Sequence, residues 1–188
     1  VWQTGAVILA GGVLQTDPIT VDGSVSGFGT LGGVVTNDGT IAASGGTLGV
    51  TGAVAGSGTL DVRAGAILHL AAAVGSGQAI SLDGGGATLV LDDLADTQAT
   101  IVAFDPLSTI DLAGITANGS LYAGGVLTLT DKGTPVGTLA VTGPFSAASF
   151  TLAPAAGGTG VTAACFASGT RIETDRGWVA VEALQVGD

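Results

Sequence analysis

Cationic side chains are scarce: four Lys and Arg stand against fifteen Asp and Glu, giving a formal net charge of −11 with His neutral. Binding to phosphate backbones rests on Lys and Arg, so a nucleic-acid partner is excluded as a class. Cysteine occurs once, as Cys165, which rules out an internal disulfide. The cysteine-free stretch before it neither needs nor excludes an oxidising compartment. Methionine is absent and the first residue is Val1, so the chain is expected to be a mature or trimmed piece whose export signal has gone. No apolar run approaches the ~18 residues of a membrane helix; the nearest, 6–14, is interrupted by Gly11 and Gly12. Charged residues make up 10% and hydrophobic residues 46%, which supplies a core and argues against disorder.

What is abundant is glycine, at 34 residues. It recurs in one phrase, Gly, then Thr or Ala, then Leu or Ile: Gly29-Thr30-Leu31, Gly39-Thr40-Ile41, Gly46-Thr47-Leu48, Gly58-Thr59-Leu60 and Gly65-Ala66-Ile67. Alternation follows in Leu60-Asp61-Val62 and appears again in Ile80-Ser81-Leu82, while no apolar stripe at i, i+3, i+4 is sustained before Cys165. Short half-buried strands between Gly, Asn and Asp turns are therefore expected. A longer period lies above the phrase, of 19 to 21 residues, in the steps Ile41 to Leu60, Leu48 to Ile67, Ile80 to Ile101, Leu89 to Ile110 and Ile110 to Leu129. Two short strands per repeat of this length suit one coil of a β-solenoid, with Leu, Ile and Val inward and Thr, Ser and Asp outward. An antiparallel sandwich is the competing all-β architecture.

Residues 126–130 and 138–142 read as a hairpin with a loop of five to seven residues, and Phe145 and Phe150 add bulk beside it, as a terminal cap requires. The expected organisation is a solenoid with its C-terminal cap over 1–152, an Ala-, Gly- and Pro-rich linker over 153–164, and a separate tail over 165–188. Asn37-Asp38-Gly39-Thr40-Ile41-Ala42-Ala43-Ser44-Gly45-Gly46-Thr47-Leu48 and Phe104-Asp105-Pro106-Leu107-Ser108-Thr109-Ile110-Asp111-Leu112 carry a resemblance to the Gly/Thr-rich repeats of large bacterial secreted and surface proteins. That resemblance implies an extracellular or cell-surface location.

The tail differs in composition. Cys165-Phe166-Ala167-Ser168-Gly169-Thr170-Arg171-Ile172-Glu173-Thr174 is followed by Gly177-Trp178-Val179-Ala180-Val181-Glu182-Ala183-Leu184 and Gly187-Asp188. This block resembles the opening of a Hint (Hedgehog/intein) autoprocessing domain. The resemblance implies that Cys165 is a nucleophile attacking the Ala164 carbonyl to give a thioester by an N-to-S acyl shift. It also implies that 170–174 and 178–184 are the first two strands, in an extended tail. The family's downstream Thr-x-x-His segment and terminal His-Asn have no counterpart here, and the one histidine, His69, lies upstream. The fragment is therefore expected not to cleave itself, and not to be an enzyme.

Other candidates are weaker. His69 faces outward if Leu68 and Leu70 point inward, and lies beside the core if Ile67 does. Asp92, Asp93 and Asp96 have the carboxylates a calcium ion wants, but the Gly-rich calcium repeat is missing and a solvated turn is favoured. Gly27-Phe28-Gly29-Thr30-Leu31-Gly32 fits a dinucleotide-binding pattern but leads to no helix. Asn118-Gly119-Ser120 fits a glycosylation sequon and more simply makes a turn. No cofactor is expected. The leading functional expectation is a non-catalytic structural subunit of a surface layer or fibre, a homo-oligomer or filament. A passenger released from a Hint protein comes second, and a module binding cell-surface polysaccharide third.

Overall fold

In the computed structural model, residues 2–163, 171–174 and 177–180 are described. They make an all-β protein whose body is a stack of about six parallel coils. Each coil has three faces. The first coil is built by β1 (Trp2–Gln3) and β2 (Ala6–Gln15), and the second coil by β3 (Ile19–Val21) and β4 (Ser24–Gly32). The third is β5 (Val35–Asn37) with β6 (Thr40–Val50). In these coils the long strand turns a corner and serves two faces. Later coils break it in two: β7 (Val54–Ala55), β8 (Thr59–Val62) and β9 (Ile67–Leu70), then β10 (Ala79–Leu82) and β11 (Thr88–Leu91), then β12 (Thr100–Phe104) and β13 (Thr109–Ala113). The short face shrinks to single bridges from Val54 to Val74 and from Val74 to Thr97.

Alternation decides which way the side chains point. In β8, β9, β10 and β11 the second and fourth residues are buried and the first and third are not. Parallel register then stacks the inward residues in columns. Val25, Ile41, Leu60, Ile80 and Ile101 form one. Leu31, Val50, Leu70, Leu91 and Leu112 form a second, and Ile19, Val35, Val54 and Val74 line the short face. All are buried. Each such side chain contributes about 1.5–3 kcal/mol through burial. The parallel pairing excludes the antiparallel sandwich.

Two of the expected steps are corrected. Leu48 stacks on Leu68, not on Ile67. The corner of the fourth coil, 63–66, is one residue longer than the corner at 44–46 above it, so the spacing slips by one between faces. Ile110 does not step to Leu129; it meets Val161 of an antiparallel strand, because the parallel stack ends at β13.

Past that point the chain runs through β14 (Gly119–Ala123), β15 (Val126–Asp131), β16 (Thr134–Val141), a short 3-10 turn at Ala147–Ser149, β17 (Phe150–Pro154) and β18 (Gly158–Ala163). The expected hairpin is present as β15 and β16, but its loop is only Lys132 and Gly133. Both have positive φ, 49° and 84°, which matches the twist of the flanking strands and lets them run longer than expected. β16 also pairs in parallel with β12, grafting the hairpin onto the stack.

The stretch 153–164, expected as a linker, is corrected through 163. β18 pairs antiparallel with both β13 and β17. Its small residues look like spacer composition, yet Thr159, Val161 and Ala163 alternate inward and close the end of the core. Tyr122, Phe145 and Phe150 cluster there, with ring centroids 5.2–6.3 Å apart. Separately, β19 (Arg171–Thr174) and β20 (Gly177–Ala180) form an antiparallel pair.

The glycines answer to the stacking. At Gly39 an added Cβ would run into the backbone carbonyl of Gly23 in the coil before it. Gly27, at a corner with φ 116°, meets the Leu9 carbonyl in the same way. The glycine pattern around Phe28 is thus a bend between two faces, inside a strand.

Candidate functional site

At the first coil the stack presents a strand edge that no described residue pairs. Val7 lies over Val25 and Leu14 over Leu31, so the first coil's inward residues continue the core columns. Val25 and Leu31 are buried, whereas Val7, Leu9 and Leu14 are only half-buried, because among the described residues nothing stacks on their far side. Ile8 is 79% exposed and Val13 64%. Along β2, alternate N–H and C=O groups point away from β4, and the strand carries no charge and no proline to block pairing.

His69 is the outward residue of β9, because Leu68 and Leu70 fill the core on either side of it. Its Nε2 lies 2.8 Å from Asp92 Oδ2 of the next coil, and both side chains are about two-fifths exposed (40% and 38%). This is a cross-coil pair at the surface. Asp93 does different work: its Oδ1 accepts the Asp96 N–H at 3.1 Å, and its carbonyl accepts the Thr97 hydroxyl at 2.6 Å. The three carboxylates proposed for calcium are therefore not gathered, and among the described residues no group of three or more His, Cys, Asp or Glu is placed to hold a metal ion. Cys165 and Ala164 lie outside the described residues.

Two grooves flank the cap. One, of about 500 Å³, runs between the sixth coil and the hairpin and includes Leu94, Thr97, Gln98, Val126 and Val136. The other, of about 420 Å³, includes Ala117, Asn118, Leu152 and Thr159. Neither is lined by an acidic or basic side chain. Tyr122, the one tyrosine a flat sugar-binding face would offer, turns its ring to Phe145 and Phe150 and donates its hydroxyl to the Val141 carbonyl at 2.9 Å.

One polar cluster escaped the sequence reading. Asn37 and Gln78 are buried, and Asn37 Nδ2 donates to Gln78 Oε1 at 2.8 Å, although a whole coil separates them. Gln78 Nε2 donates in turn to the carbonyls of Asn37 at 2.9 Å and Ala55 at 3.1 Å. Gly58 of the intervening coil makes room, since a Cβ there would stand 2.6 Å from Asn37 Nδ2. The only signal in the sequence was Asn37 falling on the inward parity of Val35; Gln78 precedes its strand and had none.

No protein-family model, curated protein or solved structure matches the chain. No helix among the described residues is long and apolar enough to cross a membrane.

Proposed function

We propose that the chain is a non-catalytic structural protein, an extracellular or cell-surface β-solenoid of bacterial origin. It serves as a spacer or as a subunit of a layer or fibre assembled through its ends. One observation carries this reading: the aliphatic columns run from the first coil into the cap, and among the described residues the buried polar side chains are few, Asn37, Gln78, Ser108, Ser149 and Thr159. Such a body transmits length and stiffness, and its ends are where it meets other molecules. The test is electron microscopy of the purified chain over a concentration series. Dimers, layers or filaments support the reading, and dispersed monomers at high concentration overturn its assembly component.

A second reading is favoured by the antiparallel pair β19–β20 just after Cys165, where the resemblance to a Hint domain puts its first strands. In that reading the solenoid is the passenger, and the bond between Ala164 and Cys165 is the one exchanged. The Cys165 thiolate attacks the Ala164 carbonyl, a thioester forms as the Cys165 amine departs with a proton, and water or another nucleophile then breaks the thioester and frees the passenger with the thiol as leaving group. Intact-mass analysis of the parent polypeptide tests it: a cut at this bond, lost in Cys165→Ala, supports the reading, and an uncut parent overturns it.

A further inference from the structure

The two asparagines of the chain sit in opposite settings. Asn37 is buried and precedes Asp38, and its amide nitrogen is held in the core by Gln78 and the Thr59 carbonyl. Asn118 is exposed, at the bend that leads into β14, and precedes Gly119. Its backbone N–H donates to the Thr130 carbonyl at 2.9 Å. Its side chain reaches the tight turn between β15 and β16. There Nδ2 donates to Asp131 Oδ1 at 2.7 Å, and Oδ1 accepts the Lys132 N–H at 3.0 Å.

Gly119 has a packing reason to be glycine. It pairs with Thr130, and a Cβ at 119 would stand 2.7 Å from Thr130 Oγ1. The same missing side chain leaves the Gly119 nitrogen unshielded towards the asparagine before it. That nitrogen can attack Asn118 Cγ. As the new N–Cγ bond forms, the Cγ–Nδ2 bond breaks, and ammonia leaves with the proton from the Gly119 nitrogen. The product is a five-membered succinimide. Water then opens either of its carbonyls, giving aspartate, or isoaspartate with a main chain one methylene longer. Water is the only co-reactant, and nothing is oxidised or reduced. Ring closure needs Cγ turned towards Gly119, whereas the bonds to Asp131 and Lys132 turn the amide towards the hairpin turn.

We infer that Asn118–Gly119 is a site of spontaneous deamidation, that the contacts with Asp131 and Lys132 are its latch, and that conversion loosens β14 from the cap. Either product puts a carboxylate where Nδ2 donated to Asp131, so attraction becomes like-charge repulsion. The isoaspartate also shifts the N–H that bonds Thr130. β14 carries Tyr122, whose ring meets Phe145 and Phe150 and whose hydroxyl bonds the Val141 carbonyl. The inference is independent of whether the solenoid assembles through its ends.

Peptide mass mapping of the full chain, held in mildly alkaline buffer, tests it. The samples are folded wild type, Asp131→Ala with its fold checked by circular dichroism, and wild type unfolded in urea. The expected result is a gain of one dalton at Asn118, split between two chromatographic products. It should be slow in folded wild type, several-fold faster in Asp131→Ala and fastest in urea, with Asn37 intact in the folded samples. No conversion in any sample overturns the site. Conversion as fast in folded wild type as in urea, or no faster in Asp131→Ala, overturns the latch. Hydrogen exchange of Asn118→Asp reads the consequence: the β14 amides should lose protection, and unchanged protection overturns the loosening.

Discussion

The first coil and the interior coils share one register and differ in what lies beyond them. Val7 and Leu14 have the same chemistry and inward direction as Val25 and Leu31, yet only the latter are buried. An aliphatic side chain in a solenoid therefore owes its stabilising effect to two neighbours, one on each side along the axis, and not to its own strand. The far end solves the problem with antiparallel hairpins and three aromatic rings; at the near end no described residue covers the columns.

That contrast can be broken at graded cost. Leu68→Ala, inside the stack with coils on both sides, should lower unfolding stability by about 2–5 kcal/mol, whereas Leu14→Ala at the open end should cost clearly less; denaturant titrations measure both. If the two costs are equal, the open end is covered in solution. Gly39→Ala comes next, at roughly 1–3 kcal/mol, because its Cβ would meet fixed backbone that cannot move without separating two coils. Gly12→Ala in the first coil has open space around its Cβ and should change stability by no more than a few tenths of a kcal/mol, read from the same titrations. Gln78→Leu removes one of the two acceptors of the buried Asn37 amide, the other being the Thr59 carbonyl at 3.2 Å, and takes one donor from each of two carbonyls, at about 1–3 kcal/mol. A small effect is also expected for Asp92→Asn. Its link to His69 is half in solvent, and thermal melts should register about 0–1 kcal/mol.

The sequence carried the body of the fold because its period was repeated in like residues: Ile41 over Leu60, Ile80 over Ile101 and Leu89 over Ile110 are real neighbours. The short third face was not legible. Strands of two or three residues, such as Val54–Ala55, are too brief to show alternation. The segment 153–164 misled for a different reason: Gly158 and Gly160 lower the apparent strand propensity of a strand whose pairing on both sides decides its conformation. His69 stood undecided in the sequence because both parities of 67–70 offered aliphatic residues. Packing on Leu48 and Leu89 chose Leu68 as the inward one. Of the candidate surface, 6–14 was visible as an apolar run, but nothing in one dimension said that it would lie at an edge.

The clasp between Asn37 and Gln78 has a consequence for how such a chain finds its own frame. Coils built from one phrase can be threaded a step out of place with little loss of hydrophobic contact, the characteristic error of repetitive sequences. An amide reaching past Gly58 to a second amide opposes such an error, since a shifted threading separates the two and costs their mutual hydrogen bond in a buried setting. One polar tooth thus indexes an otherwise interchangeable set of rungs.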